Sequence, residues 1–233
     1  MVEAQHRVST LKLTDTLAEQ ALLEDLVEKT KPSIPPECRR LHVLLATPFR
    51  YDAVYPRGSR FRRAGRTPGV FYAAETPATA IAETAFYRLL FFAESPATPW
   101  PSIAADYTAF SAALSTARLL DMTAAPLSRD ERRWTDLIDY GPCQAFADDA
   151  RSADADVIRY RSVRDPAEGV NLAVLMCRAF ASPVPVERQT WRMRYSRTGV
   201  QAVCEFPQVA VEFARDAFAA DPRIAGLDWE RGP

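Results

Sequence analysis

Early in the chain, Leu17, Ala21, Leu22, Leu26 and Val27 recur at the three- and four-residue spacing of an apolar helical stripe. Thr16, followed three residues later by Glu19, has the form of a capping box, and Pro32 stops the pattern. Segment 32–36 (PSIPP) then reads as an extended connector, because proline lacks an N–H and disfavours helix at the residue before it. Residues 1–40 are therefore expected to be a helical extension and connector, with the stripe packed on its own domain by default.

From residue 41 the pattern turns β-like. Strands are predicted at 42–45, 47–51 and 69–74, with proline and glycine punctuation over 55–69. Thr76-Pro77 is a strong helix start, a capping hydroxyl followed by proline at the first helical position, and this helix is expected to reach about Phe92. Further strands are predicted at 107–114, 117–122, 157–160, 171–176, 184–195 and 200–205, with helices at 128–138 and 144–152. Pro207 is read as opening a last helix through Phe218. Strands and helices interleave too irregularly for a doubly wound fold. The expectation is an α+β domain over 41–206, a mixed β-sheet with flanking helices, followed by a C-terminal helix and tail over 207–233.

The helix after Pro77 carries the first chemical signal. Between residues 77 and 90 the only charged side chains are Glu83 and Arg88, among Ala78, Ala80, Ala82 and Ala85, which permit close packing. Glu83 is thus expected to be partly buried, and a buried carboxylate needs hydrogen-bond donors, a cation or a catalytic role. Just upstream stand Arg50, Arg57, Arg60, Arg62, Arg63 and Arg66. One acid facing many guanidinium groups suits a ligand with phosphates and an electrophilic sugar carbon; a structural Glu–Arg pair beside a solvated basic loop fits the same residues.

Composition narrows the classes. The net charge of −1 offers no global field for nucleic acid or anionic membrane, and the arginine excess over lysine is discounted as coding bias. Four cysteines, Cys38, Cys143, Cys177 and Cys204, are scattered without a CxxC pair, and His6 and His42 are the only histidines. Neither a metal site nor a disulfide framework is expected from them, and with no membrane-length apolar run the expected compartment is the cytoplasm. GxSxG, Walker A, GxGxxG and HExxH motifs are absent.

Arg50-Tyr51, Gly58-Ser59-Arg60-Phe61, the run Tyr72 to Pro77 leading to Ala80-Ile81-Ala82-Glu83, and Tyr160-Arg161-Ser162-Val163-Arg164 followed by Asn171 together resemble the RES-domain family. The resemblance covers about 41–203. It implies a fold similar to ADP-ribosyltransferase toxins and an NAD-degrading toxin of a type II toxin–antitoxin pair, with an Xre-type antitoxin as partner and a homodimer within the complex. It assigns Glu83, Arg50 and Tyr51 to catalysis, and Ser162, Arg60, Tyr72 and Asn171 to NAD binding. NAD is then substrate, no cofactor or metal is required, and inorganic phosphate (NAD phosphorylase) or water (NAD glycohydrolase) is the acceptor. One departure stands out: Phe61-Arg62 occupies the place where the family commonly has Trp-Asn.

Charge development agrees with these residue types. Cleavage of the nicotinamide–ribose bond builds positive charge on the sugar, which an ionised carboxylate stabilises. Arginines grip pyrophosphate bidentately, and a phosphate nucleophile requires one more, with Arg62, Arg66 and Arg164 as candidates. Transfer of ADP-ribose to a protein is the alternative reaction. A non-catalytic binding module using the 57–66 arginines is the alternative of another class, with no direct nucleic-acid binding expected from the balanced charge.

Overall fold

The computed structural model describes residues 1–3, 10, 13–50, 54, 58–65 and 67–232. Among them, nine strands form two sheets. The first contains β1 (Val2–Glu3), β3 (Ala105–Phe110), β7 (Arg188–Ser196), β8 (Gly199–Cys204) and β9 (Val209–Ala214), in that order and antiparallel throughout. The second has the order β2 (Phe71–Ala74), β6 (Val170–Val174), β5 (Val157–Arg161), β4 (Leu119–Asp121), with β4 parallel to β5 and the other pairs antiparallel. The helices are α1 (Leu17–Thr30), α2 (Val43–Ala46), α3 (Pro77–Glu94), α4 (Glu131–Trp134) and α5 (Gly141–Ser152). The class is α+β with one mixed sheet.

Helix α3 links the two sheets. Thr76 caps it by accepting from Thr79 N, with Pro77 at the first helical position, so the start legible in the sequence is the observed one. Its apolar face (Ile81, Ala82, Ala85, Phe86, Leu89, Phe92) packs against Trp191, Met193 and Tyr195 of β7 and Val200 and Ala202 of β8, and Phe218, Ile224 and Leu227 of the tail close the same core. The small side chains at 82 and 85 let the helix lie close to the sheet. A second core joins α5 (Cys143, Ala147, Ala150) to Ile158, Tyr160 and Ala173 of the mixed sheet, and a third covers the opposite face with Leu45, Phe49, Phe71, Val174 and Phe180.

Several expected elements differ. The apolar run at 42–49 forms α2 and a 3₁₀ turn (Thr47–Phe49) instead of strands. Periodicity cannot separate so short an apolar run into strand or buried helix, and His42 decides it by accepting from Leu44 N through Nδ1. The expected C-terminal helix at 207–218 is strand β9 followed by a 3₁₀ turn (Arg215–Phe218). Here the alternation of VAVEFA, with Phe213 inside and Glu212 outside, outweighs the proline signal. The helix predicted over 128–138 shortens to a 3₁₀ turn (Leu127–Asp130) and α4.

Helix α1 has the expected capping box, with Thr16 Oγ1 accepting from Glu19 N and Glu19 Oε2 from Thr16 N. Its stripe is not packed on the domain, however: Leu17, Leu22 and Leu26 are exposed, and the buried residue of the helix is Gln20. Leu17 and Leu22 point about 140° apart at 3.6 residues per turn, so the apolar residues do not share one face. The cysteine expectation is also corrected. Cys38 and Cys177 form a disulfide, with Cα atoms 5.4 Å apart across 139 residues of sequence, a pairing created by two 3₁₀ turns that meet only in the fold. Among the described residues, no helix is long and apolar enough to cross a membrane.

Candidate active site

Cross-strand register assembles the floor of the site. Asn171 of β6 lies between Ala74 of β2 and Tyr160 of β5, while Tyr72 pairs with Ala173 two residues along. Directly opposed residues of antiparallel strands share a face, so Tyr72, Tyr160 and Asn171 are on the same side. Above them runs α3, whose Glu83 reaches down. Asn171 Nδ2 donates to Glu83 Oε1 at 2.6 Å, and Ser162 Oγ donates to the same oxygen at 2.7 Å. Both donors are almost completely buried. Glu83 Oε2 has no hydrogen-bond partner among the described residues. One oxygen of the carboxylate is thus anchored by two donors from different elements.

The loop after β5 holds Ser162 in place. Ser162 N donates to Gly169 O, while Ser162 Oγ accepts from the backbone amides of Arg164 and Asp165 at 3.2 and 3.1 Å. Asp165 Oδ2 accepts from Thr79 Oγ1 at 2.8 Å, tying the loop to the first turn of α3. Gly169 is required where loop and helix meet, since a Cβ there would stand 2.1 Å from Thr79 Oγ1 and 2.4 Å from Asp165 Oδ2.

Tyrosines and arginines border the carboxylate. Burial, then the charge of Glu83, pushes the Tyr160 phenol well above its ordinary pKa. Tyr87, one helical turn beyond Glu83, is raised by burial of its hydroxyl region, then by Tyr140 and Glu83, with Arg164 opposing, although half of the residue is exposed. Arg164 lies 4.0 Å over the Phe86 ring and pairs with Asp221 at 2.7 Å, both side chains buried. Burial alone would push the Asp221 carboxyl up; hydrogen bonds from the Arg223 side chain and backbone, with the charges of Arg164 and Arg223, hold it below the ordinary carboxylate range.

Of the seven residues expected to carry the site, Glu83, Ser162 and Asn171 are joined by direct hydrogen bonds. Tyr72 is on the same sheet face, its hydroxyl bonded to Ser59 Oγ (2.8 Å) and Phe61 N (3.0 Å). Arg60 is buried, donates to Trp134 O at 2.7 Å and Asp136 O at 2.8 Å, and stacks on the Tyr140 ring at 4.7 Å. Its guanidinium is engaged by backbone carbonyls, so its observed contacts brace the loop beside Tyr140. Arg50 is likewise buried, bonded to Pro32 O at 3.1 Å and paired with Glu28 of α1, while its Nε has no hydrogen-bond partner among the described residues. Tyr51, Arg57 and Arg66 lie outside the described residues. Arg62 bonds Thr67 through its side chain and carbonyl, and Arg63 pairs with Asp148 at 2.6 Å, so the described arginines of the 57–66 stretch are spent within the protein. Glu75, at the entry to α3, pairs with Arg159 at 2.6 Å.

A carboxylate held by a loop serine and a strand asparagine, each reached from a different element, is the constellation around which the match to known families falls. The RES-domain model matches residues 35–196, well over half of the chain. The chain belongs to the RES-domain family. No curated protein matches it. At family level, RES domains are NAD-processing enzymes associated with toxin–antitoxin pairs. In this RES domain the matched segment contains Glu83, Ser162 and Asn171, but Asp221, which pairs with Arg164 of the Ser162 loop, and Arg223, which pairs with Asp221, lie beyond it. Tyr87 was readable in principle from its four-residue spacing after Glu83; Tyr140 and Arg223 carried no local signal.

Proposed function

We propose that this RES domain cleaves the nicotinamide–ribose bond of NAD, with inorganic phosphate as acceptor, as the toxin of a pair whose antitoxin is an Xre-type protein. The observation that carries the reading is the asymmetric anchoring of Glu83, with Oε1 held by Ser162 and Asn171 and Oε2 without a hydrogen-bond partner among the described residues. Such a carboxylate is preorganised and costs little reorganisation when positive charge appears on the ribose. The nicotinamide nitrogen leaves with the electron pair of the C–N bond, Glu83 stabilises the cationic sugar carbon, and a phosphate oxygen forms the new C–O bond. The products are nicotinamide and phosphorylated ADP-ribose. Ser162 and Asn171 act on the orientation of Glu83, and Tyr72 and Tyr87 offer ring faces for the nicotinamide. In this reading Arg50 serves the NAD phosphates after exchanging Glu28 for substrate.

Incubation with NAD, with and without inorganic phosphate, followed by mass resolution of products, tests this. Wild-type protein is expected to release nicotinamide in a phosphate-dependent manner, and Glu83→Gln to lose the reaction by about 10³-fold or more while remaining folded. Release without phosphate would replace the acceptor by water, and label appearing on protein would make the reaction a transfer. Intact NAD under all conditions refutes the reading.

A further inference from the structure

Outside the Glu83 cluster, two guanidinium groups converge on one tyrosine. Arg164 Nη2 donates to Leu137 O at 2.7 Å and to Tyr140 Oη at 3.1 Å; Arg223 Nη2 donates to the same two acceptors at 3.0 and 3.3 Å. Both lie over the Phe86 ring, at 4.0 and 5.2 Å, and both pair with Asp221, at 2.7 and 2.8 Å. Two cations therefore share one carboxylate. The other acids of this loop, Asp136 and Asp139, are exposed and spend an oxygen on the backbone amides of Ile138, Asp139 and Gly141. Two further details give the cluster a direction. Tyr140 Oη accepts two N–H bonds, and its own O–H has no acceptor among the described residues, which leaves it one donor to give. Arg223 is about a third exposed at its side chain, and its Nη1 has no hydrogen-bond partner among the described residues, whereas Arg164 is buried.

We propose that Tyr140 and Arg223, backed by the buried Arg164, form an anion subsite of this protein that takes a phosphate group. The subsite adjoins Glu83 through the chain itself, because Arg164 N donates to Ser162 Oγ and Ser162 Oγ donates to Glu83. Asp221 pairs with both guanidinium groups and compensates only one of their charges, which leaves the arrangement suited to a further anion. Identification of the phosphate as part of an NAD reaction rests on the proposed function; the anion chemistry does not. Two sources share that chemistry: free inorganic phosphate as co-substrate, and the pyrophosphate of the dinucleotide. Arg223 belongs to the tail beyond residue 196, so a segment outside the matched family region supplies a ligand-binding group.

The test is calorimetric titration of the full chain with inorganic phosphate, pyrophosphate and ADP-ribose, together with NAD kinetics, for wild type, Arg223→Gln, Tyr140→Phe and Arg231→Gln. Arg231 ties the same tail to the carbonyls of Phe92, Ser95 and Thr98, away from Tyr140, and so controls for loosening of the tail alone. Arg223→Gln is expected to weaken the resident anion by about tenfold to a hundredfold and Tyr140→Phe by about threefold to tenfold, with Arg231→Gln unchanged. A raised KM for phosphate with unchanged KM for NAD assigns the subsite to the co-substrate; weaker ADP-ribose binding with unchanged phosphate dependence assigns it to the pyrophosphate. Equal affinities in wild type, Arg223→Gln and Tyr140→Phe would overturn the subsite, as would an equal loss in Arg231→Gln. Should Arg223→Gln fail to fold, Tyr140→Phe decides. Wild type that binds phosphate or pyrophosphate but leaves NAD intact would retain the subsite and refute the NAD reading. NAD cleavage by wild type together with unchanged anion affinity in Arg223→Gln and Tyr140→Phe would do the reverse.

Discussion

Ser162→Ala removes a hydroxyl with three partners: Glu83 Oε1, which it donates to, and the amides of Arg164 and Asp165, from which it accepts. A hydrogen bond to a charged group is worth about 1.5–3 kcal/mol, and each buried amide left without an acceptor adds about 1–3 kcal/mol unless the loop relaxes or admits water. Asn171 still serves Glu83, so a total loss of about 2–4 kcal/mol is expected, since such contributions are not additive within one network. For a chain of this length that lowers Tm by roughly 4–16 °C. The comparison variant is Ser182→Ala. Ser182 Oγ also accepts from an amide two residues on, Val184 N at 3.3 Å, but in an exposed turn, where the change should stay within about 0.5 kcal/mol. Denaturant unfolding followed by fluorescence measures both, and NAD turnover of Ser162→Ala should fall by about 10–100-fold. Equal stability losses in the two variants, or a Ser162→Ala loss below about 0.5 kcal/mol, would show that the buried bond to Glu83 is not made.

Asp221→Asn leaves Arg164 and Arg223 without their carboxylate and should cost about 3–5 kcal/mol near neutral pH. The folded-state pKa of Asp221 is depressed, so its contribution is present above the ordinary carboxylate value and lost as pH falls through the folded one; the gap to wild type should shrink below about pH 4 in denaturant midpoints, and a pH-independent gap would refute it. With Cys38 bonded to Cys177, unfolding without reductant should reveal two titratable thiols among the four cysteines, and reductant should remove about 2–5 kcal/mol given the 139-residue separation; four thiols would refute the bond. Gly169→Ala forces the loop off Thr79 and should destabilise by about 1–3 kcal/mol while reducing NAD turnover, whereas Gly226→Ala, where a Cβ meets nothing within 4 Å, should do neither.

How far the sequence was legible follows the range of the interactions. Glu83 stood out because a helix almost free of charge carried it, and of the three ways open to a buried carboxylate, donors, a cation or a catalytic role, the first is supplied by Ser162 and Asn171. The start of α3 and the capping box of α1 depend on neighbours within four residues, and both match. Strand β9 was misread because a local proline signal was weighed above a six-residue alternation, and α2 because four apolar residues carry no period. Roles for Arg50 and Arg60 were drawn from residue type and resemblance. Their actual neighbours, Glu28 and Pro32 for one, Trp134 and Asp136 for the other, are set by long-range packing. The same holds for Cys38 with Cys177, and for Tyr140 with Arg223.

The family match stops at residue 196, but the five-stranded sheet does not. Residue 196 is the last of β7, and the next two strands and the Phe218, Ile224 and Leu227 side chains complete the apolar layer beneath α3. A chain cut there would turn β7 into a bare edge and open Trp191, Met193 and Tyr195 to water, the kind of surface that templates strand addition between molecules. The segment by which the relationship is recognised is thus shorter than the unit that folds. Substitutions at the buried tail positions Phe218, Asp221, Ile224 and Leu227 should therefore register at Glu83, as substitutions inside the matched region do.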